Sequence, residues 1–338
     1  MNKNTEEYSS VVTLVYNEPN VTLPIFATEN FLKSKSSSYG WFVSNKFILP
    51  FVIDKKLTFK RLIFTTETFY LEKNLSIQEE KAFLNEVVDY CRRDNICDFI
   101  FKAQSNVVFK TFPDNAEEVA WGTYEIELNL TEEEIFNNFE SKARTKVRKA
   151  VKTDVIISKT DDINIIYQNM KETFIRQQSL LYPSLEYLQK LQSNLKDNLQ
   201  CFVAEQNGAI QGVALIVYDQ ERAYYLFGGS TARPSPGSLN LLHYEIIKFC
   251  KEKEIGFYDF VGARVCFEKG SKFASLQTFK KSFGAKLKEG YAFRVILKPM
   301  KYKLFKRLVN LYFKSKGSSY TDPIDSIRRC NEQHTNNS

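Results

Sequence analysis

The stretch that most limits what this chain can fold into runs from Ala223 to Gly262: AYYLFGGSTARPSPGSLNLLHYEIIKFCKEKEIGFYDFVG. It reads as strand, loop, helix, strand. Ala223 to Phe227 is aromatic-rich and suits a half-buried pleated surface. Gly228 and Gly229 end it, and the prolines of Arg233-Pro-Ser-Pro-Gly237 forbid both a continued strand and an early helix. Ser238 is placed to cap a helix, along which Leu239, Leu242, Ile246, Phe249 and Cys250 recur at helical spacing. Gly256 closes that helix and Phe257 to Val261 is the next strand. Free N–H groups at the helix start, with Arg233 close by, suit a phosphate or another anion. An ordinary crossover between two sheet strands accounts for the same residues.

The chain's 338 residues suffice for two domains with real cores. No apolar run reaches the length of a membrane-spanning helix, and MNKNTEEYSSVVTLVYNEPN lacks the basic start and apolar core of a signal peptide. The six cysteines are scattered, with no pair of pairs at zinc spacing. No metal site and no disulfide framework is expected, and a reduced cytoplasm fits that usage. The net charge of +7 is modest, but its excess is concentrated in Ser141–Lys152 and Pro299–Lys316.

In chain order, the first ten residues are polar and expected to be loose. Val11–Tyr16, Trp41–Ile53 and Leu57–Thr65 read as strands, with Asp54-Lys-Lys56 as a turn. Ile77–Asn95 is helical with an apolar stripe of Phe83, Val87, Val88 and Cys91. Cys97–Lys102 and Trp121–Leu130 are strands. Thr131 then caps a long helix whose stripe is Phe136, Phe139, Ala143, Val147 and Ala150. Asp154–Ser158 is a strand, Asp162–Gln178 and Leu185–Leu195 are helices, and Asn207-Gly208 turns a hairpin between two more strands. Lys272–Phe283 is a short helix and Gly290–Lys298 the last strand. NEVVDYCRRDNICDFIF (residues 85–101) and HYEIIKFCKEKEIGFYDFV (residues 243–261) share an amphipathic helix, a charged end and an Asp-Phe strand. They read as a diverged internal duplication with a boundary near residue 130.

Four segments together resemble the GNAT superfamily of acyltransferases, and more closely its FemAB/FemX branch of peptidoglycan aminoacyltransferases. They are SKARTKVRKAVKTDVII before a strand, the helix ending TFIRQQ, AYYLFGGS with its proline loop and LNLLHYEIIKFC, and the pair FYDFVG and SLQTFKKSFG. The resemblance covers residues 120–300 and the first half in outline. It implies an α/β (α+β) protein of two tandem GNAT-like domains, each a mixed, mostly antiparallel twisted sheet flanked by helices. The expected divisions are 1–130, a diverged GNAT-like domain; 131–299, the acyltransferase domain; 300–316, a basic amphipathic helix; and 317–338, a disordered tail.

The resemblance also implies transfer of an acyl or aminoacyl group to an amine of a cell-envelope or polysaccharide precursor, without a covalent enzyme intermediate. The donor is an acyl-CoA or, in the Fem branch, an aminoacyl-tRNA, with no tightly bound cofactor. Ordinary GNAT enzymes cradle the CoA pyrophosphate in a glycine-rich loop; here Ala232-Arg-Pro-Ser-Pro-Gly-Ser238 offers one glycine and two prolines. On the same implication Lys280 neutralises a phosphate or the oxyanion, Asp259 orients the amine or accepts its proton, and Tyr258 protonates a leaving group. Arg176, Tyr225, Arg233, Gly237, Ser238, Asn240, Arg144 and Arg148 are the expected substrate and donor contacts. Each has a plainer account: a surface lysine, a turn-satisfying aspartate, packed tyrosines, a helix-end ion pair, a solvated basic face. A single histidine before residue 300, His243, expected to be partly exposed and structural, gives little support to a Ser-His-Asp or Cys-His apparatus. Cys201, Cys250 and Cys266 read as core cysteines.

Expected partners are a phosphorylated, nucleotide-linked or lipid-linked glycan precursor, and tRNA. Residues 300–316 carry six basic and no acidic residue, and two occupants of their apolar face stay open: the inner face of a membrane or the protein's own surface. A non-catalytic binding protein on a degenerate GNAT scaffold is the alternative to an enzyme.

Overall fold

This computed structural model describes residues 11–267 and 270–335. The first ten residues, expected to be loose, and the end of the expected tail lie outside the described residues. The chain divides into two compact units, one made of Met1–Gly122, Arg264–Lys269 and Glu289–Ser338, the other of Thr123–Ala263 and Gly270–Lys288. The division falls after Gly122; the first unit also takes Arg264–Lys269, before the second resumes at Gly270, and regains the chain at Glu289. Residues on both sides of the division belong to one alternating strand, so the pattern carries no punctuation there.

In chain order the elements are β1 (Thr13–Val15), α1 (Glu29–Lys35), β2 (Tyr39–Val43), β3 (Phe47–Lys56), β4 (Phe59–Phe64), β5 (Phe69–Tyr70), α2 (Ile77–Arg93) and β6 (Phe99–Ile100). There follow β7 (Glu117–Glu127), α3 (Glu132–Asn138), α4 (Ser141–Lys152), β8 (Ile156–Thr160), α5 (Ile163–Arg176), α6 (Leu185–Leu195), β9 (Leu199–Gln206), β10 (Ala209–Tyr218) and β11 (Arg222–Ser230). The rest are α7 (Ser238–Glu252), β12 (Phe257–Asp259), β13 (Ala263–Arg264), α8 (Lys272–Lys281), β14 (Lys286–Ile296), α9 (Pro299–Ser315) and α10 (Pro323–Thr335).

In the first unit the strand order is β1-β2-β3-β4-β6-β14, with β5 on β3. α2 starts at a full capping box, Ser76 with Glu79, and buries Phe83, Val87, Val88 and Cys91 as its stripe predicts. It crosses over between β4 and β6, which pair in parallel. In the second unit the order is β7-β12-β11-β10-β9-β8. Here α7 crosses over between β11 and β12, again a parallel pair in an otherwise antiparallel sheet. The two helix-strand segments that resemble one another in sequence thus occupy the same place in their respective units. The second core gathers Ile126, Phe139, Val147, Phe202, Ile216, Leu242, Ile246 and Phe260 from β7, α4, α7 and the central strands.

Five sequence expectations are corrected. Trp41–Ile53 is not one strand: Ser44 Oγ accepts from the Phe47 amide and turns β2 into β3. The next turn lies at Leu57, in the left-handed region, beyond Asp54-Lys-Lys56. The long helix after Thr131 is broken at Phe139, which is extended; the Glu140 amide turns to the Ser282 carbonyl. The tail from 317 contains α10, whose Ile324 and Ile327 join Val108, Val119, Trp121 and Ala292 in a buried cluster. Cys266, finally, is not a core thiol but is bonded to Cys330 of α10; Cys91, Cys97, Cys201 and Cys250 are buried and free.

Candidate active site

The site is made by two strands that separate. β11 and β12 pair in parallel only over Arg222–Tyr224 and Phe257–Asp259. β11 then continues to Ser230 on β10, while the chain after Asp259 turns to β7, where the Phe260 amide donates to the Tyr124 carbonyl. The edge of β11 from Tyr225 onward therefore loses its neighbour at a wedge. A bulge on that strand, with Leu215 opposite Phe227 and Ile216 opposite Tyr225, leaves Leu226 as the extra residue beside the wedge. The sequence gives no sign of it.

Asp259 stands at the apex, opposite both Tyr224 and Glu125. Two carboxylates directly across a sheet repel. Arg222 compensates them, bonding Glu125 and lying 3.5 Å from Asp259 Oδ2. The Thr123 hydroxyl and the Val261 amide donate to the other oxygen of Asp259. Burial pushes the Asp259 carboxyl up to about 6, against the pull of Thr123 and Arg222. Thr123, Glu125 and Arg222 have no motif in the sequence; the available signal was two charged positions and a threonine within strands rich in aromatic and apolar residues.

Lys280, near the end of α8, donates to the carbonyls of Val261, at 2.7 Å, and Gly262. Both residues have positive φ, so the lysine fastens the turn by which β12 leaves the sheet. An ammonium has three N–H donors, and these contacts use two. Burial lowers the Lys280 pKa to about 8, with Asp259 opposing the shift. Lys280 and Asp259 are thus brought together at the apex.

Tyr258 is taken away from it. Its side chain is fully buried and its hydroxyl lies 2.8 Å from Nδ1 of His243, which is itself buried, not partly exposed. Burial, and then the charge of Lys280, hold His243 down at about 3, so the ring is neutral. Tyr225 stands edge-on to the His243 ring, with its hydroxyl folded against Gly228. It lines the unpaired stretch of β11.

The helix start differs from its sequence reading. Gly237, at φ +92°, is the N-cap of α7, and Ser238 is its first residue, its hydroxyl donating to the Ser235 carbonyl. A Cβ on Gly237 would stand 2.1 Å from the Lys146 carbonyl, so α4 backs onto this turn. Asn240 is buried in the first turn. Arg233 is exposed on the loop. Arg176 donates to the Ser230 carbonyl at 3.0 Å, marking the far end of β11. Arg144 is spent on the carbonyls of Asn137 and Phe139, closing the end of α3, and Arg148 lies over the Phe136 ring. Those two hold the α3–α4 break and do not join Lys280.

Among the described residues no cluster of His, Cys, Asp or Glu could hold a metal ion, and no helix is long and apolar enough to cross a membrane. A parallel pair that splits at its C-terminal end, with a crossover helix starting above the split, defines the GNAT class of fold. Residues 137–270 match the family described as an acetyltransferase (GNAT) domain. Among solved structures, FemX is similar at TM-score 0.63 and 17% identity over 85% of this chain and 95% of that one. A conserved protein of unknown function from Bacteroides thetaiotaomicron is similar at TM-score 0.51 and 12% identity, over 78% of this chain and 89% of that one. Among curated proteins none matches the sequence. Residues 137–270 thus match a GNAT domain, and the fold is similar to that of FemX.

Proposed function

We propose that this protein transfers an aminoacyl group from an aminoacyl-tRNA to an amine on a cell-envelope or polysaccharide precursor. The acceptor nitrogen attacks the ester carbonyl, the C–O bond to the ribose breaks, and the nitrogen's proton leaves for the ribose oxygen. Such an ester is already electrophilic, so alignment and oxyanion stabilisation carry the rate. In this reading the unpaired edge of β11 aligns the donor and the third N–H of Lys280 faces the developing oxyanion or a donor phosphate. Asp259 holds the turn that aims Lys280 and keeps its ammonium charged.

One observation carries the choice of donor. A CoA pyrophosphate needs several backbone N–H groups, and loop 232–238 is short of them. Pro234 and Pro236 have none; the Ser235 amide is taken by Gln211 Oε1 and the Ser238 amide by the Ser235 carbonyl. The resemblance to the FemAB/FemX branch supports the same choice. The test is transfer of a labelled aminoacyl group from charged tRNA to an amine-bearing, UDP-linked precursor, beside labelled acetyl-CoA with the same acceptor. Transfer from tRNA alone is the expected result. Turnover with acetyl-CoA alone moves the protein to the acyl-CoA enzymes, and silence from both across a panel of acceptors favours a binding protein.

A further inference from the structure

α9 shows two different faces. Tyr302, Phe305 and Phe313 are buried against the first unit, where Phe305 meets Phe59 and Phe99. The opposite face stays in solvent, yet it carries Met300, Leu304, Leu308, Leu311 and Tyr312, all exposed, with Leu311 at 62%. An outward face on an ordinary surface helix is polar. The cations divide in the same way. Lys301 and Lys306 are paired inward, with Asp98 at 3.1 Å and Asp325 at 2.9 Å. Lys303, Arg307 and Lys314 are exposed beside the leucines, with no acidic partner among the described residues. α9 contains no Asp or Glu at all.

A second element extends this surface. The β3–β4 hairpin tip is Lys55-Lys56-Leu57-Thr58, and Leu57 is 88% exposed in the left-handed region. Its place is fixed beside the start of α9, because Lys301 Nζ donates to the Thr58 carbonyl at 3.2 Å and Phe59 packs on Phe305. A hairpin tip normally presents polar turn residues; this one presents a leucine directly after two lysines. Leucines flanked by unpaired cations, on two elements locked to one another, are complementary to a surface that is negatively charged outside and apolar just beneath.

We propose that α9 and the Leu57 hairpin dock the first unit on an anionic lipid bilayer. Leu304, Leu308, Leu311 and Leu57 enter the headgroup–acyl boundary, and Lys303, Arg307, Lys314, Lys55 and Lys56 meet the lipid charges. The inference does not depend on the acyl donor, and its test needs no turnover. The full-length protein is sedimented with vesicles of phosphatidylcholine alone and with added phosphatidylglycerol, at low and high salt. Binding to the anionic vesicles that weakens at high salt is expected, because screening shortens the reach of the lipid charge. Lys303→Gln with Arg307→Gln lowers that partition about twentyfold or more. Leu304→Ser, Leu308→Ser and Leu311→Ser together abolish it, with an unchanged melting temperature because these side chains are already in solvent. Equal binding to neutral and anionic vesicles, or no loss in either variant, overturns the proposal. So does a protein that ignores vesicles but forms a dimer dispersed by Leu308→Ser, which would give this face to a second copy.

Discussion

Lys280 joins an architectural role to a proposed chemical one. Its two carbonyl contacts fix the turn after β12, and the remaining N–H is what a ligand would use. Lys280→Ala is therefore expected to lower kcat by ~10²–10³-fold, the loss typical of one oxyanion donor. The lost hydrogen bonds cost only ~1–3 kcal/mol, so the variant stays folded, with a melting temperature a few degrees lower. A folded variant with full turnover would take Lys280 out of the site. The pH dependence gives an independent check. The Lys280 pKa falls from its ordinary 10.5 to about 8 in the folded protein. Turnover that needs the ammonium then declines as pH rises through about 8. Stability moves the other way: between about 8 and 10.5 the unfolded chain still holds the proton that the folded one has lost, so this lysine's contribution to folding improves with pH. Comparing unfolding of wild type and Lys280→Met across that window isolates it. His243 has the same sign in the acid range. Its folded pKa of about 3 lies below the ordinary 6.5, so it withdraws stability as pH falls between those values. Tyr258→Phe leaves Nδ1 of His243 buried without its partner and should cost ~1–3 kcal/mol in denaturant unfolding. If the hydroxyl instead serves turnover alone, stability will not change.

At the scale of elements, the α7 turn shows how much of the site was legible. Gly228-Gly229, the two prolines and the helical spacing from Leu239 to Cys250 are local, and local patterns place β11, the loop and α7 correctly. Serine is a good cap, so the local sequence points to Ser238; Gly237 takes the position because α4 presses on it. That pressure is tertiary and has no local sign. Gly237→Ala should be costly on two grounds. The left-handed conformation penalises any other residue by ~1–3 kcal/mol, and the new methyl would overlap the Lys146 carbonyl. Loss of stability on urea unfolding greater than for Gly208→Ala is expected, since a Cβ at Gly208, also at positive φ, meets nothing. Equal losses would mean that α4 gives way easily. The same reasoning covers the α3–α4 break. The apolar stripe runs unbroken through Phe139, and only Arg144 folding back on the α3 carbonyls, with Glu140 bonded to Ser282, shows that the helix cannot continue. Asp259 is legible in the sequence, but its partners Arg222 and Glu125 are not, for the same reason: the three lie on different strands distant in sequence.

For the whole molecule the C-terminal segment matters most, and it was the least legible. Residues 323–335 offer Ile324 and Ile327 among polar neighbours, which reads as tail. Their partners are far back in the chain. Ile324 and Ile327 complete the cluster of Val108, Val119, Trp121 and Ala292. Arg294, buried in β14, is held by Glu117, by Asp322 at 2.9 Å and by Asp325. Cys330 is tied to Cys266 across 64 residues of sequence. Removing residues 317–338 takes two of three carboxylates from a buried guanidinium, a change worth ~3–5 kcal/mol. It also exposes the apolar cluster, at ~1.5–3 kcal/mol for each isoleucine. The sum rivals the whole stability of an ordinary domain, ~5–15 kcal/mol. The expected outcome is selective: the first unit melts at low temperature while the second, which uses no residue beyond Lys288, keeps its transition. Calorimetry of the truncated chain should show two separated transitions. Reducing the intact protein should shift only the earlier one, by about 4 kcal/mol on the loop-closure account. Cys330→Ser should reproduce that shift without reductant. A truncated chain with unaltered melting would mean that α10 adds nothing to the first unit. A shift in the second transition would mean that the two units do not melt independently.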